Sequence, residues 1–218
     1  MSTFKKALLQ LHVFVFLAGL TGPLGFLIQL NGLMLVFYRM LLASLVLLFI
    51  YFFTQQKHHY NFATKFKLIG IGAIIALHWV CFYGSIKLAN VSIALVCFSS
   101  TSMFTSLIEP IATKLKMKWR DLFIGALSFV GILLIFHFDT KFRTGIIVGL
   151  LSALLASIFS VINKGVTNKV DTFSIQFYEM MGGVFFLSLI TLTKIMTLHR
   201  IIWWVFLVEG GLLHYIRQ

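Results

Sequence analysis

Residues 78–110 read HWVCFYGSIKLANVSIALVCFSSTSMFTSLIEP, two apolar stretches hinged on the polar turn Lys87-Leu88-Ala89-Asn90. A bilayer core about 30 Å thick takes about 20 apolar residues in helical conformation. Leu68–Leu88 and Val91–Pro110 each supply that length. Lipid offers backbone N–H and C=O groups no partner, and neither stretch alternates as a barrel strand would, so the pair is predicted to be a tight hairpin of transmembrane helices.

The same criterion finds five further spans at Leu8–Leu30, Leu33–Phe53, Leu122–Phe138, Gly145–Ile162 and Phe173–Ile195. The expected fold is therefore all-α, a polytopic transmembrane helix bundle. Composition agrees: of 218 residues, 60% are hydrophobic and 11% charged, with a mean hydropathy of +0.99. Soluble domains carry about 25% charged residues. The first span follows a basic flank as a signal peptide would, but its apolar run is too long for one, so it reads as an uncleaved helix. The run Ile201–Leu213, interrupted by Glu209, Gly210 and Gly211, is shorter than a crossing requires.

The formal charge of +12 sits mostly between the apolar segments. Lipid headgroups and topology account for it, and no nucleic-acid partner is expected. Alternate loops divide the Lys and Arg unequally. One side holds Lys5, Lys6, Lys57, Lys65, Lys67, Lys114, Lys116, Lys118, Arg120, Lys164 and Lys169, the other Lys87, Lys141, Arg143, Lys194 and Arg200. The positive-inside rule makes the first side, and the N-terminus, cytoplasmic.

The chain also repeats. VFYRMLLASLVLL from Val36 is similar to QFYEMMGGVFFLS from Gln176, at a constant offset that pairs Phe37 with Phe177, Tyr38 with Tyr178, Met40 with Met180 and Arg39 with Glu179. The offset lays the sixth span on the first and the seventh on the second. Five spans separate the copies, so corresponding helices are expected to cross in opposite directions, a plan of secondary transporters that bind solute between the halves.

With FYRMLLASLVLL, GSIKLANVSIALVCFSSTSMFTSLIEPI and IGALSFVGILLIF in hand, the chain from Leu8 to Leu189 resembles the EamA-like family of the drug/metabolite transporter superfamily. The resemblance implies inverted five-helix repeats, cytoplasmic termini, transport of small metabolites, and a cavity lined by the third and fourth helices with help from the first and sixth. Residues 1–138 form the first repeat, 139–196 a partial second repeat holding only its first two helices, and 197–218 a divergent tail, as in a truncated or frameshifted chain.

Polar residues inside the spans are the functional candidates. At about 100° per residue, Ser99, Ser102, Ser106, Glu109 and Thr113 form one stripe on the fourth helix. Small hydroxyl residues also serve close helix packing, and Pro110 ends or kinks a helix. His78, Phe82 and Ser85 share one face of the third helix, with Trp79 and Tyr83 turned further round. His78, Trp79, Phe82, Tyr83, Ser99, Ser102 and Ser106 are thus candidates for lining a substrate cavity. A histidine bonded to a neighbouring helix and aromatics that simply pack are the competing readings.

Arg39, Glu109 and Glu179 are charges at membrane depth, expected to gate or to anchor structure. Lys87 near a helix end can snorkel. Gly145, Gly149, Ala153, Ala156 and Ser160 form a small-residue seam, while Gly19, Gly22, Pro23 and Gly25 are expected to weaken or bend the first helix. Cys81 and Cys97 read as small hydrophobes. His58-His59 alone make a poor metal site, and no metal, cofactor or catalytic residue is expected.

The sequence therefore reads as a secondary transporter moving small organic metabolites across the cytoplasmic membrane by alternating access, with membrane lipids and a small-molecule solute as partners. Loss of the second cavity wall would leave it inactive unless a homo-oligomer completes that wall in trans. The alternative is a non-transporting helical scaffold or assembly subunit. No nucleophile–base pair marks an enzyme.

Overall fold

The computed structural model describes residues 3–53, 60–114, 116–117, 119–138 and 140–193. His58, His59, Lys57, Lys118, Lys194, Arg200 and the tail from 197 onward, with its run Ile201–Leu213, lie outside the described residues. Eight helices follow in order: α1 Thr3–Leu27, α2 Gly32–Phe53, α3 Phe62–Leu88, α4 Val91–Ser99, α5 Thr101–Thr113, α6 Trp119–Phe138, α7 Arg143–Lys164 and α8 Thr172–Thr193. No strand occurs among the described residues. Six segments are long and apolar enough to cross a membrane: α1, α2, α3, α4 with α5, α7 and α8. The fifth expected span falls on α6. The outer faces carry large apolar side chains such as Phe16, Phe52 and Phe123 at 68%, 75% and 72% exposure, which suits lipid.

Local chemistry sets the helix ends. Asn61 and Asn90 cap α3 and α4, each side-chain oxygen accepting the backbone N–H three residues on, from Thr64 and Ile93. This is the N-cap role for which asparagine is favoured, and it starts α3 at Phe62, ahead of the Leu68 boundary that apolarity alone suggests. The fourth span is two helices. The chain breaks at Ser100, whose N–H turns back to the Cys97 carbonyl at 3.1 Å. Ser157 on α7 donates to the Thr101 carbonyl at 2.9 Å beside this break.

Pro110, expected to end or kink a helix, lies inside α5, which continues to Thr113. A membrane helix tolerates the missing donor where neighbouring groups compensate. The helix stops instead at Lys114, whose φ of 56° is left-handed. Likewise α1 runs through Pro23 as one helix to Leu27.

Interhelical contacts fix the relative directions. Tyr83 meets Thr21 and Lys87 meets Phe26 and Ile28, so α1 and α3 advance together. His78 meets Ser152 and Ser85 meets Gly145, so α7 runs against α3. Lys65 lies over the Tyr178 ring and Ile69 abuts Gly182, so α8 runs with α3. Met40 packs on Gly183 and Tyr51 stacks on Phe177, so α8 runs against α2. Hence α1 and α7 point oppositely, as do α2 and α8.

The core sits where α2, α3 and α8 converge, around Val36, Met40, Leu68, Ile71, Ile86 and Leu187, with Val166 and Val170 from the α7–α8 connection. On α7 the predicted seam holds for Gly145, Gly149, Ala153 and Ala156, all buried, whereas Ser160 is exposed. The two cysteines are buried free thiols, Cys97 packing with Ile93 and Ile146 in a second cluster.

Candidate solute-binding cavity

Arg39 enters α2 seven residues after its start at Gly32 and points into the bundle. Its Nη1 donates to the Tyr83 hydroxyl at 2.6 Å, and its guanidinium carbon lies 3.4 Å from the centroid of the Trp79 ring. Tyr83 in turn donates to the Thr21 carbonyl on α1 at 3.5 Å. Three helices are thereby linked through one cation. Gly25 lets the Tyr83 ring close on α1, since a Cβ there would collide with that ring.

These groups edge a cavity of about 430 Å³ among α1, α2 and α3, bounded by Thr21, Gly25, Leu35, Tyr38, Arg39 and Tyr83. Its volume falls in the range of about 300–1,000 Å³ that takes small organic ligands. Beyond the end of α1, Lys87 of α3 donates to the carbonyls of Phe26 and Ile28 at 3.1 and 2.7 Å. Lysine there satisfies carbonyls that the end of α1 leaves open, so Lys87 does more than snorkel.

Of the residues expected to line a cavity, the structure brings Tyr83 to this one and sets Trp79 behind Arg39. His78 goes elsewhere. Its Nδ1 lies 2.9 Å from the Ser152 carbonyl, which can only accept, so Nδ1 carries the proton. Ser152 Oγ returns a bond to the His78 carbonyl at 3.2 Å. The ring sits among Phe82, Phe98 and Phe159. This buried α3–α7 clasp occupies the face that the sequence assigns to His78, Phe82 and Ser85.

The hydroxyl stripe spends its donors locally. Ser99, Ser102 and Ser106 bond the carbonyls of Val96, Ser99 and Met103 at 2.6, 3.0 and 2.9 Å, each three residues back. Thr113 bonds the Glu109 carbonyl four residues back at 2.6 Å. Ser99 stands on α4, across the Ser100 break from the others. Side-chain donors this close to their own backbone compete with interhelical bonds.

Glu109 pairs with Lys164 of α7, not with the neighbouring Lys114. Lys164 is 62% exposed and Glu109 27%, so solvent screens the pair. The Lys164→Ala variant is expected to lose less than about 1 kcal/mol, read as the midpoint of urea unfolding in detergent. A loss above that would show the pair to be structurally essential.

Glu179 is 1% exposed. Its backbone meets Gly72 on α3, the Asn163 side chain approaches its carboxyl, and Oε1 finds no partner among the described residues. Sequence reasoning ranked Arg39 as a gate or anchor and missed its place at a cavity. No local signal gives that place, because its partners Trp79 and Tyr83 stand on α3, far along the chain.

Against this geometry, residues 5–137, more than half of the chain, match the model of the EamA-like transporter family. The chain belongs to the EamA-like transporter family. The match spans α1 to α6 and stops short of α7 and α8, so the resemblance read as far as Leu189 is matched over its first part. No curated protein and no solved structure matches the chain. Membership makes this a multi-pass membrane protein of the drug/metabolite transporter type, in contact with lipid and a transported solute.

Proposed function

We propose that the chain is a secondary transporter of small organic metabolites in the cytoplasmic membrane, with its N-terminus inside, working by alternating access between oppositely directed halves. One observation carries this reading beyond family membership. The helices equated by the sequence repeat, α1 with α7 and α2 with α8, point in opposite directions and pack on the shared α3. Opposed repeats of this kind give a transporter two openings related by symmetry.

In this reading the glycine contacts at the α2–α3–α8 junction form the surface on which the halves rock, and the Arg39 cavity holds solute from one side. Charge within a membrane span belongs at such pathways or in pairs.

Purified full chain in proteoliposomes, preloaded in turn with a panel of metabolites and diluted into radiolabelled solute, tests this. Saturable counterflow of at least one solute, absent from empty liposomes, is the expected result. Absence of counterflow across the panel, with protein shown folded by its unfolding midpoint, would reject transport. A stoichiometric partner recovered in mild detergent would then favour the scaffold reading.

A further inference from the structure

Arg39 has no counter-ion among the described residues. The sequence has six Asp and Glu residues, and none precedes Glu109, so α1, α2 and α3 contain no carboxylate. Those described lie elsewhere: Glu109 pairs with Lys164, Glu179 lies beside Asn163, Asp171 accepts from Tyr60 at 2.7 Å, and Asp121 stands exposed in the first turn of α6. Yet a cation at membrane depth ordinarily pairs.

Tyr83 takes one Arg39 donor and Trp79 covers one face of the guanidinium. The planar group offers five N–H donors, and Arg39 makes no other hydrogen bond to a described residue. Its free edge borders a cavity otherwise walled mostly by apolar side chains, with Thr21, Tyr38 and Tyr83 as hydroxyl exceptions.

We infer that this cavity binds a small organic anion, a carboxylate on an apolar body, with the carboxylate on Arg39 and the body against Leu24, Leu35 and Leu42. This deepens the transport reading by naming the class of solute. A guanidinium held flat by stacking is pre-organised for bidentate carboxylate binding, while the leucine-lined remainder selects against strongly hydrated anions. A cavity of about 430 Å³ commits the site to a compact solute rather than to a two-chained lipid.

Octanoate is the probe, with octanol and octylamine as neutral and cationic matches of the same body. The full chain sits in nanodiscs of phosphatidylcholine, and binding is followed by equilibrium dialysis. Octanoate is expected to bind saturably, with octanol and octylamine weaker by about tenfold or more, the effect of one lost charge-assisted bond. Arg39→Gln is expected to weaken octanoate by a similar factor and leave octanol unchanged, and Arg39→Lys to restore part of the loss.

Leu24→Trp, which fills the cavity and keeps Arg39, should also weaken octanoate, so the inference stays testable if Arg39→Gln fails to fold. Equal binding of octanol and octanoate overturns the inference, as does undiminished octanoate binding by Leu24→Trp or by folded Arg39→Gln. Discs containing phosphatidylglycerol decide the source of the anion: unchanged octanoate binding supports a solute site, and its loss reassigns the cavity to lipid and overturns the inference. Counterflow of a neutral solute without octanoate binding would sink this inference and keep the transport reading. Octanoate binding without any counterflow would do the reverse.

Discussion

Replacing Gly72 with leucine is expected to detach α8 from α3 and to lower stability by about 3 kcal/mol or more. Gly72 is buried at the crossing, and a Cβ there would run into the Glu179 carbonyl. Its partners repeat the feature: a Cβ on Gly182 would meet the Ile69 backbone, and one on Gly183 would meet the Met40 side chain and approach the Gly72 carbonyl. Backbone cannot step aside as a flexible side chain can, so the helices must separate. Association in lipid rests on close van der Waals contact rather than on the hydrophobic effect, and separation therefore loses most of what holds α8.

Gly72→Ala should already cost about 1–3 kcal/mol. Gly70, two residues away, has no heavy atom within 4 Å of the corresponding position, so Gly70→Ala should gain up to about 1 kcal/mol from helix propensity. Urea unfolding midpoints in detergent give the comparison. Equal effects at Gly70 and Gly72 would dispose of the tight-crossing account.

That crossing also marks how far the sequence could be read. Apolar length and the expense of unpaired backbone located the six segments able to cross a membrane and the helix α6, since both are local properties of the chain. The small-residue seam of α7 was legible because Gly145, Gly149, Ala153 and Ala156 recur at helical spacing. The division of α3 was legible too: His78 and Ser85 turn to α7, while Trp79 and Tyr83 turn to α2 and α1.

The break at Ser100 was not. Nothing in VCFSSTSMF distinguishes a turn from a polar stretch of helix until Ser157 of α7 is brought alongside Thr101. The local bonding of the stripe through Ser99 and Ser102 was hidden for a related reason. Angular position says which way a hydroxyl faces but not whether it reaches a carbonyl of its own helix first, three or four residues back, as these do. Arg39 needed the third dimension: its partners Trp79 and Tyr83 lie some 40 residues away, and Tyr83 reaches α1 only because glycine at position 25 leaves room for its ring.

Changing Glu179 to glutamine is expected to strengthen the fold, although it removes an ionisable group from a membrane span. At 1% exposure the carboxyl is enclosed by α3, α7 and α8. Its Oε1 and the Asn163 Oδ1 are both buried acceptors without a partner among the described residues, and the Asn163 side chain is the polar group that approaches the carboxyl. A buried acceptor left without a donor costs about 1–3 kcal/mol. Glutamine keeps the shape and brings two N–H donors, so one can serve Asn163 while the carbonyl accepts from the Asn163 amide. The expected gain is about 1–2 kcal/mol.

Glu179→Ala supplies no donor and leaves a void at the tight crossing, so it should lose about 2–4 kcal/mol. The opposite signs matter more than the sizes. If glutamine instead lowers the unfolding midpoint as far as alanine does, the carboxyl must be held by a cation that only a charged oxygen satisfies, and Glu179 would then be an ion site rather than an imperfectly paired anchor of α8.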